Sequence, residues 1–263
     1  MGNLHFLSLG SGSSGNCYYI GTNEYGFLID AGISSVRVKK YLKKYNILLS
    51  NIQGIFITHD HADHVKYAGI LNSKYEIPLF TTKRIFYGIQ RNRNVKNPPT
   101  FCNFIHKNET LTLKDFSILP FQVSHDSSEC VGFTFSFRNK HFTIATDLGY
   151  INDIASQQIT KSDYLVIEAN YDENMLEKGP YPLILKNRVK GLKGHLSNRT
   201  TAEFLAENWN ENLKYIFLCH LSAENNTPQL AYQTIFKKLQ SKNITPHFLV
   251  PLDRLNPSEL FIL

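Results

Sequence analysis

Cysteine is scarce in this 263-residue chain: Cys17, Cys102, Cys130 and Cys219 stand far apart and no CxxC spacing occurs. That pattern weighs against a disulfide framework and against a thiol-rich structural zinc site. No apolar run approaches the roughly 20 residues a membrane span needs. Nothing at the N-terminus reads as a basic stretch followed by an apolar one and a cleavage site. The expectation is a cytoplasmic, thiol-reduced protein with no membrane partner. Linkers rich in Pro, Gly and Ser are missing too, as are short-period repeats and low-complexity segments, so residues 1–263 read as a single domain. Apolar residues make up 42% and charged ones 19%, an ordinary globular composition. Acidic side chains are outnumbered 22 to 28, and the net charge of +6 favours an acidic partner.

Histidine and aspartate, by contrast, are concentrated in one place. Thr58-His59-Asp60-His61-Ala62-Asp63-His64 puts three imidazoles and two carboxylates directly after the apolar run Gly54-Ile55-Phe56-Ile57. Imidazole and carboxylate are ligands for Zn²⁺ and Mn²⁺, and a strand ending in a tight loop can aim His59 and His61 at one ion. Asp63 and His64 lie one step further round, within reach of a second. Three more candidates each follow a strand-like run: His125, Asp147 and His220. A structural zinc site is the plain alternative, but that is usually a closed, cysteine-rich set of four, whereas seven His/Asp candidates fit two ions.

His59-x-His61-x-Asp63-His64, followed by His125, Asp147 and His220, resembles the five-motif signature of the metallo-β-lactamase superfamily. Asp30 in Phe27-Leu28-Ile29-Asp30-Ala31-Gly32 matches its first motif. Within the superfamily, the segments Leu9 to Asn16, Gly194 to Asn198 and His220 to Asn226 are similar to the YycJ, WalJ or VicX group, whose members look like bacterial 5′-to-3′ exonucleases. The resemblance implies an α/β, four-layer αββα sandwich of two mixed sheets flanked by helices. It implies two divalent ions, Zn²⁺ or Mn²⁺, one held by His59, His61 and His125, the other by Asp63, His64 and His220, with Asp147 bridging. A hydroxide between the ions would be the nucleophile, and the scarcity of signal features weighs against a secreted β-lactamase.

The pattern predicts strands over residues 5–9, 17–21 and 26–30, a helix over 34–45 and a strand over 55–58. After the loop come a helix over 65–75, a strand over 78–81 and a short helix over 83–90. Strands over 116–123, 133–137, 142–145, 164–169, 214–218 and 247–250 then alternate with helices over 151–159, over 198–208 and from Thr227-Pro228 onward. Arg84 to Phe101, with Arg91, Arg93 and Lys96, reads as an excursion whose basic residues either touch a polyanion or form a solvated loop.

Three features point to phosphodiesters. Glu168 in Glu168-Ala169-Asn170-Tyr171 and His195 in His195-Leu196-Ser197-Asn198 are similar to the proton-shuttle elements of transfer-RNA 3′-processing nucleases. The resemblance implies that His195 is the general acid and that Glu168 orients it. Ser13, Ser14 and Asn16 in the glycine-serine loop supply donors suited to a phosphate, although a tight strand connection explains the loop as well. Lys186, Arg188 and Lys193, just before His195, are suited to guide a strand; plain surface is the competing reading.

The leading expectation is a two-metal phosphodiesterase acting on nucleic acid, DNA more than RNA, as a 5′-to-3′ exonuclease in which Asp63, Glu168 and His195 are catalytic. An RNA-processing endonuclease resembling the transfer-RNA 3′ nucleases is an alternative, though the glycine-proline-rich arm those enzymes use to grip transfer RNA is missing. A cyclic phosphodiesterase, a lactonase or thioesterase, and a catalytically silent regulator complete the alternatives. Neither the physiological metal nor the oligomeric state is legible in the sequence.

Overall fold

The computed structural model describes residues 2–263, whose contacts gather into two compact units. The first runs up to His106 and includes Ser127–Cys130 and Asp253–Leu263; the second comprises Lys107–Asp126 and Val131–Leu252. In the first unit lie β1 (His5–Gly10), β2 (Cys17–Gly21), β3 (Gly26–Ile29), α1 (Ser35–Lys43), β4 (Ile52–Phe56), α2 (Ala62–Val65), α3 (Ala68–Lys74), β5 (Leu79–Thr81), α4 (Lys83–Arg91) and β6 (Asn103–Phe104). The second holds β7 (Leu111–Leu113), β8 (Phe116–Gln122), β9 (Val131–Phe137), β10 (Lys140–Ala145), α5 (Asp153–Thr160), β11 (Tyr164–Glu168), α6 (Glu173–Lys178), α7 (Leu183–Val189), α8 (Asn198–Glu207), β12 (Tyr215–Cys219), α9 (Pro228–Gln240) and β13 (Phe248–Pro251). A last strand, β14 (Phe261–Ile262), returns to the first sheet.

Each unit is built on a seven-stranded mixed sheet, ordered β14-β1-β2-β3-β4-β5-β6 in the first and β13-β12-β11-β10-β9-β8-β7 in the second. Both are divided alike. The first is antiparallel from β14 to β3 and parallel from β3 to β6. The second is parallel from β13 to β10 and antiparallel from β10 to β7. Central strands such as β2, β3 and β11 are buried at every position, as near-continuous apolar runs require. Phe27, Phe56, Phe142 and Phe217 are wholly buried. Phe27 meets Phe56 edge-on at 5.7 Å and Phe142 stacks on Phe217 at 6.4 Å. Burial of each such ring contributes roughly 1.5–3 kcal/mol.

Helices start where a side-chain oxygen can accept an orphan backbone N–H: Ser34 before α1, Thr82 before α4, Asn152 before α5, Asp172 before α6, Ser197 before α8 and Thr227, with Pro228, at α9. The single helix expected over 65–75 is instead two short ones. Ala31 N–H donates to the His64 carbonyl at 2.6 Å and Tyr67 N–H donates to the Ala31 carbonyl at 2.9 Å, so the end of β3 takes the bonds that a continuous helix would use. Among the described residues, no helix is long and apolar enough to cross a membrane.

Candidate metal centre

Functional groups in layered α/β folds gather at the carboxyl ends of parallel strands. The candidates in both units obey that rule. In the first unit β3 and β4 run side by side, with Ile29 paired to Phe56, so Asp30 and the Thr58–His64 loop emerge next to each other. Asp30 is fully buried and organises the loop. Its carboxylate accepts the Thr58 N–H at 2.8 Å, the Thr58 hydroxyl at 2.9 Å and His64 Nδ1 at 2.7 Å. With Nδ1–H directed at Asp30, His64 presents Nε2 as its ligating nitrogen. The His59 ring lies 4.6 Å from that of His61 and 4.0 Å from that of His64, centroid to centroid. His59 and His64 are buried, while His61 and Asp63 are half-buried.

Close approach makes this arrangement possible. A Cβ on Gly32 would lie 1.7 Å from the Asp63 carbonyl oxygen, so no larger residue can stand there. Asn16 is also committed to the loop. Its N–H donates to the Asp63 carbonyl at 2.7 Å, and its side-chain amide lies 2.9 Å from His64 Nε2 and 3.3 Å from Asp63 Oδ2. The sequence suggested a phosphate donor at this position. The structure instead turns Asn16 inward, where it is fully buried, and leaves Ser13 and Ser14 exposed in the turn before it.

In the second unit β10, β11 and β12 are parallel neighbours, with Ala145 beside Ile167 and Glu168 beside Cys219. Asp147, Glu168 and His220 therefore line one sheet edge. Together with His195 they offer ligand atoms that all lie within 4.8 Å of one another. Glu168, fully buried, is the hub. Its Oε1 faces His195 Nδ1 at 2.8 Å and His220 Nδ1 at 2.9 Å, and its Oε2 accepts the N–H groups of Leu148 at 2.9 Å and Leu196 at 3.1 Å. Thr201 adds a hydroxyl bond to the Glu168 carbonyl at 2.6 Å, and the Asn170 amide donates to the His220 carbonyl at 2.7 Å. His125, after β8, donates from Nδ1 to the Gly194 carbonyl at 3.0 Å, which points its Nε2 toward Asp147 Oδ1, 3.7 Å away.

Burial alone would push the Glu168 carboxyl up, but the charge of His195 and the bonds from His195 and His220 hold it below its ordinary value. His195 shows the converse: burial pushes it down, and the charge and hydrogen bond of Glu168 outweigh that and hold it above the usual imidazole range. For Asp30 burial wins, and the carboxyl stands above its ordinary value despite the opposing pull of His64 and Thr58. Asp30, Asp147 and His220 also share a backbone peculiarity, φ of 61°, 57° and 54°, the left-handed region that non-glycine residues seldom enter.

The basic segment before His195 is a helix, α7, absent from the expected elements. Arg188 on it donates from Nε to Asp126 Oδ2 at 2.5 Å, and Asp126 Oδ1 lies 3.4 Å from His125 Nε2. Lys186 donates to the Glu177 carbonyl at 2.5 Å, and Lys193 is exposed. Two of these three cations thus have partners within their own unit, and Arg188 is linked through Asp126 to a candidate ligand. Asp30, Asn170 and Thr201 are positioning residues outside the expected site set; Asp30 alone had a sequence signal, the Asp-Ala-Gly after β3.

The donor set is imidazole nitrogen and carboxylate oxygen, with the Nδ1 atoms of His64, His125 and His220 each turned to a carboxylate or carbonyl that fixes the ring. Such a set fits a divalent metal ion. Residues 25–214 match the family model of the beta-lactamase superfamily domain. The chain is similar to exodeoxyribonuclease YycJ of Bacillus anthracis, with 34% identity over 91% of this chain and 90% of that protein. It is similar to exodeoxyribonuclease WalJ of Streptococcus pneumoniae, with 33% identity over 90% and 88%. Its fold is similar to that of YhfI of Bacillus subtilis, a metallo-beta-lactamase fold protein, with a TM-score of 0.68 over 97% of this chain and 99% of that one at 14% identity. The chain belongs to the metallo-β-lactamase superfamily and, within it, to the YycJ and WalJ group. The αββα fold class read from the sequence, two mixed sheets flanked by helices, is borne out.

Proposed function

We propose that this protein is a cytoplasmic, metal-dependent phosphodiesterase that shortens DNA from its 5′ end. The observation that carries the reading is the Glu168 hub, a buried carboxylate that grips one histidine suited to ligate a metal and one suited to give up a proton. The relatives' description as exodeoxyribonucleases supports the substrate class. His59, His61, Asp63, His64, His125, Asp147 and His220 are the residues assigned to two divalent ions, Zn²⁺ or Mn²⁺. When bound, such ions lower the pKa of a water molecule and offset the charge that builds on the phosphoryl group.

The protein's own residues supply the rest. His195 is partly open, its side chain 19% exposed, whereas Glu168 beneath it is closed off. A proton held at His195 by the Glu168 charge can pass to the departing alkoxide, and the fixed Oε1 bond keeps the ring oriented for that transfer. Asn16, Asp30 and Asn170 position ligand residues and do not touch substrate. Ser13, Ser14, Lys186, Arg188 and Lys193 are assigned to the strand backbone, with Arg188 also steadying Asp126.

The test is digestion of end-labelled DNA and matched RNA by protein reconstituted with Mn²⁺ or Zn²⁺. Progressive shortening of DNA from the 5′ end, abolished in Asp63→Ala and weakened in His195→Ala, is the expected result. The loss in Asp63→Ala should be on the order of 10³-fold, because a vacated metal position removes several kcal/mol of charge stabilisation. Internal cuts in RNA with intact DNA would favour the RNA-processing alternative, and no cleavage of either polymer would overturn the nucleic-acid reading.

A further inference from the structure

The first unit carries a basic feature that the residues discussed so far leave unused. Arg84, Tyr87, Gln90 and Arg91 of α4, with Ser128, line a cavity of about 390 Å³. Spacing of i, i+3 and i+7 sets Arg84, Tyr87 and Arg91 in one stripe, with the two arginines roughly 10 Å apart along the helix axis. All three are exposed, Tyr87 by 47%. Arginines elsewhere are neutralised nearby, Arg188 by Asp126 and Arg199 by Glu173. Among the described residues, neither Arg84 nor Arg91 has an ion-pair partner.

This cavity is tied to the metal loop. Asp60, between His59 and His61, accepts the Ser128 N–H at 3.2 Å through Oδ1, and its carbonyl accepts the amide of Asn92, just past α4, at 2.7 Å. A Cβ on Gly88 would lie 1.9 Å from Asp60 Oδ2, so only glycine lets α4 sit this close. The Asp60 carboxylate, the acid adjoining the cavity, is thereby engaged with Ser128. The backbone between two candidate ligands and one wall of the cavity move as one piece.

We propose that this cavity binds one or two nucleotide units of the substrate strand beside the bond to be cut, with Arg84 and Arg91 on backbone phosphates and Tyr87 stacked on a base. The inference rests on the nucleic-acid reading above and adds the site that grips the strand. Guanidinium groups pair with phosphate through two parallel bonds and keep their charge at any working pH. An exposed tyrosine ring between them gives stacking that tolerates any base. A free phosphate would use the arginines and leave the ring idle, whereas an apolar ligand would use the ring and strand two unpaired charges.

Fluorescence anisotropy of the full-length, Mn²⁺-loaded protein with a short phosphorothioate oligodeoxythymidylate tests this, run over a series of salt concentrations. Hydrolysis of bis(p-nitrophenyl) phosphate, too small to span the cavity and the metal loop, is followed in parallel. The double variant Arg84→Ala/Arg91→Ala should bind at least about tenfold more weakly, and its log-log salt slope should fall by about 2, one unit for each lost phosphate contact. Tyr87→Ala should bind about fivefold or more weakly with its salt slope unchanged, while Tyr87→Phe should match the parent. Hydrolysis of the small ester should be unaltered in all of them. Variants that bind like a parent that itself binds would overturn the proposal and leave the exonuclease reading intact. An unchanged Tyr87→Ala beside a weakened arginine variant would reduce the site to an anion pocket and overturn the nucleotide assignment. A parent that cleaves the small ester but binds no oligomer would defeat the nucleic-acid reading, and this proposal with it.

Discussion

Asp30 in the first unit and Glu168 in the second are both wholly buried carboxylates at the end of a parallel strand, and each holds a histidine by Nδ1. Their proton affinities nevertheless move in opposite directions, Asp30 upward and Glu168 downward. Desolvation is the largest influence on both. The difference lies in the company: Asp30 meets one imidazole and Thr58, whereas Glu168 meets two imidazoles and two backbone N–H groups. Burial does not decide the charge of a carboxylate by itself; the number of donors aimed at it does. Glu168 is thus built as an anion that serves two rings, and Asp30 as a clamp for one.

The comparison breaks most sharply if the hub loses its charge. Glu168→Gln should lower the turnover of the metal-reconstituted enzyme by on the order of 10²-fold, since a ligand histidine and a proton donor lose their anchor together. Asp30→Asn should cost less, about tenfold in metal affinity measured by competition with a chelator, because only His64 is affected. Equal losses from the two variants would mean that the two carboxylates do not differ in the way their surroundings imply.

The proton itself sharpens the contrast. His195 lies above its ordinary value because of Glu168, so activity that needs its proton is present at lower pH and disappears as pH rises through that raised value. Removing the carboxylate charge removes the lift, and the alkaline limb of kcat/KM against pH in Glu168→Gln should move to lower pH. In Asp30→Asn the limb should stay where it is. A limb that does not move in Glu168→Gln would strip His195 of the general-acid role. A smaller effect follows at Asn16, whose amide meets Asp63 and His64 from within the first unit. Asn16→Ala should weaken metal retention by up to about tenfold while the salt slope of DNA binding stays constant, which separates a positioning residue from a phosphate donor.

The smallest change is expected at Arg188→Ala. Arg188 is 59% exposed and its Asp126 partner 28%, so the melting temperature should shift by no more than about 1 kcal/mol of stability would allow.

The two halves also differ in how much of them the sequence discloses. The first is written in seven consecutive positions, and a strand ending in a histidine-rich turn can be read from spacing alone. The second is dispersed over His125, Asp147, Glu168, His195 and His220; the parallel register of β10, β11 and β12 is what brings three of them to one edge. Only the family resemblance could link those residues in advance. Direction was the harder property: the glycine-serine loop was recognisable by composition, but nothing in composition tells whether Asn16 points out or in. The break near Tyr67 was hidden because the competing hydrogen bonds come from Ala31, distant in sequence. β6 and β14 have two residues each and β7 three, too few for alternation to register. α7 begins at Leu183 behind Pro182 without a side-chain cap, and none of its residues is buried, so no apolar stripe announces it.

The left-handed turns at Asp30, Asp147 and His220 make the centre a store of conformational tension. Each such residue costs roughly 1 kcal/mol relative to glycine, which carries no Cβ to crowd its carbonyl. A lineage freed from the need to cut phosphodiesters would therefore drift toward glycine or asparagine at these turns and become easier to fold as it fell silent. The working enzyme stays on the less comfortable side of that slope for as long as selection for chemistry holds it there.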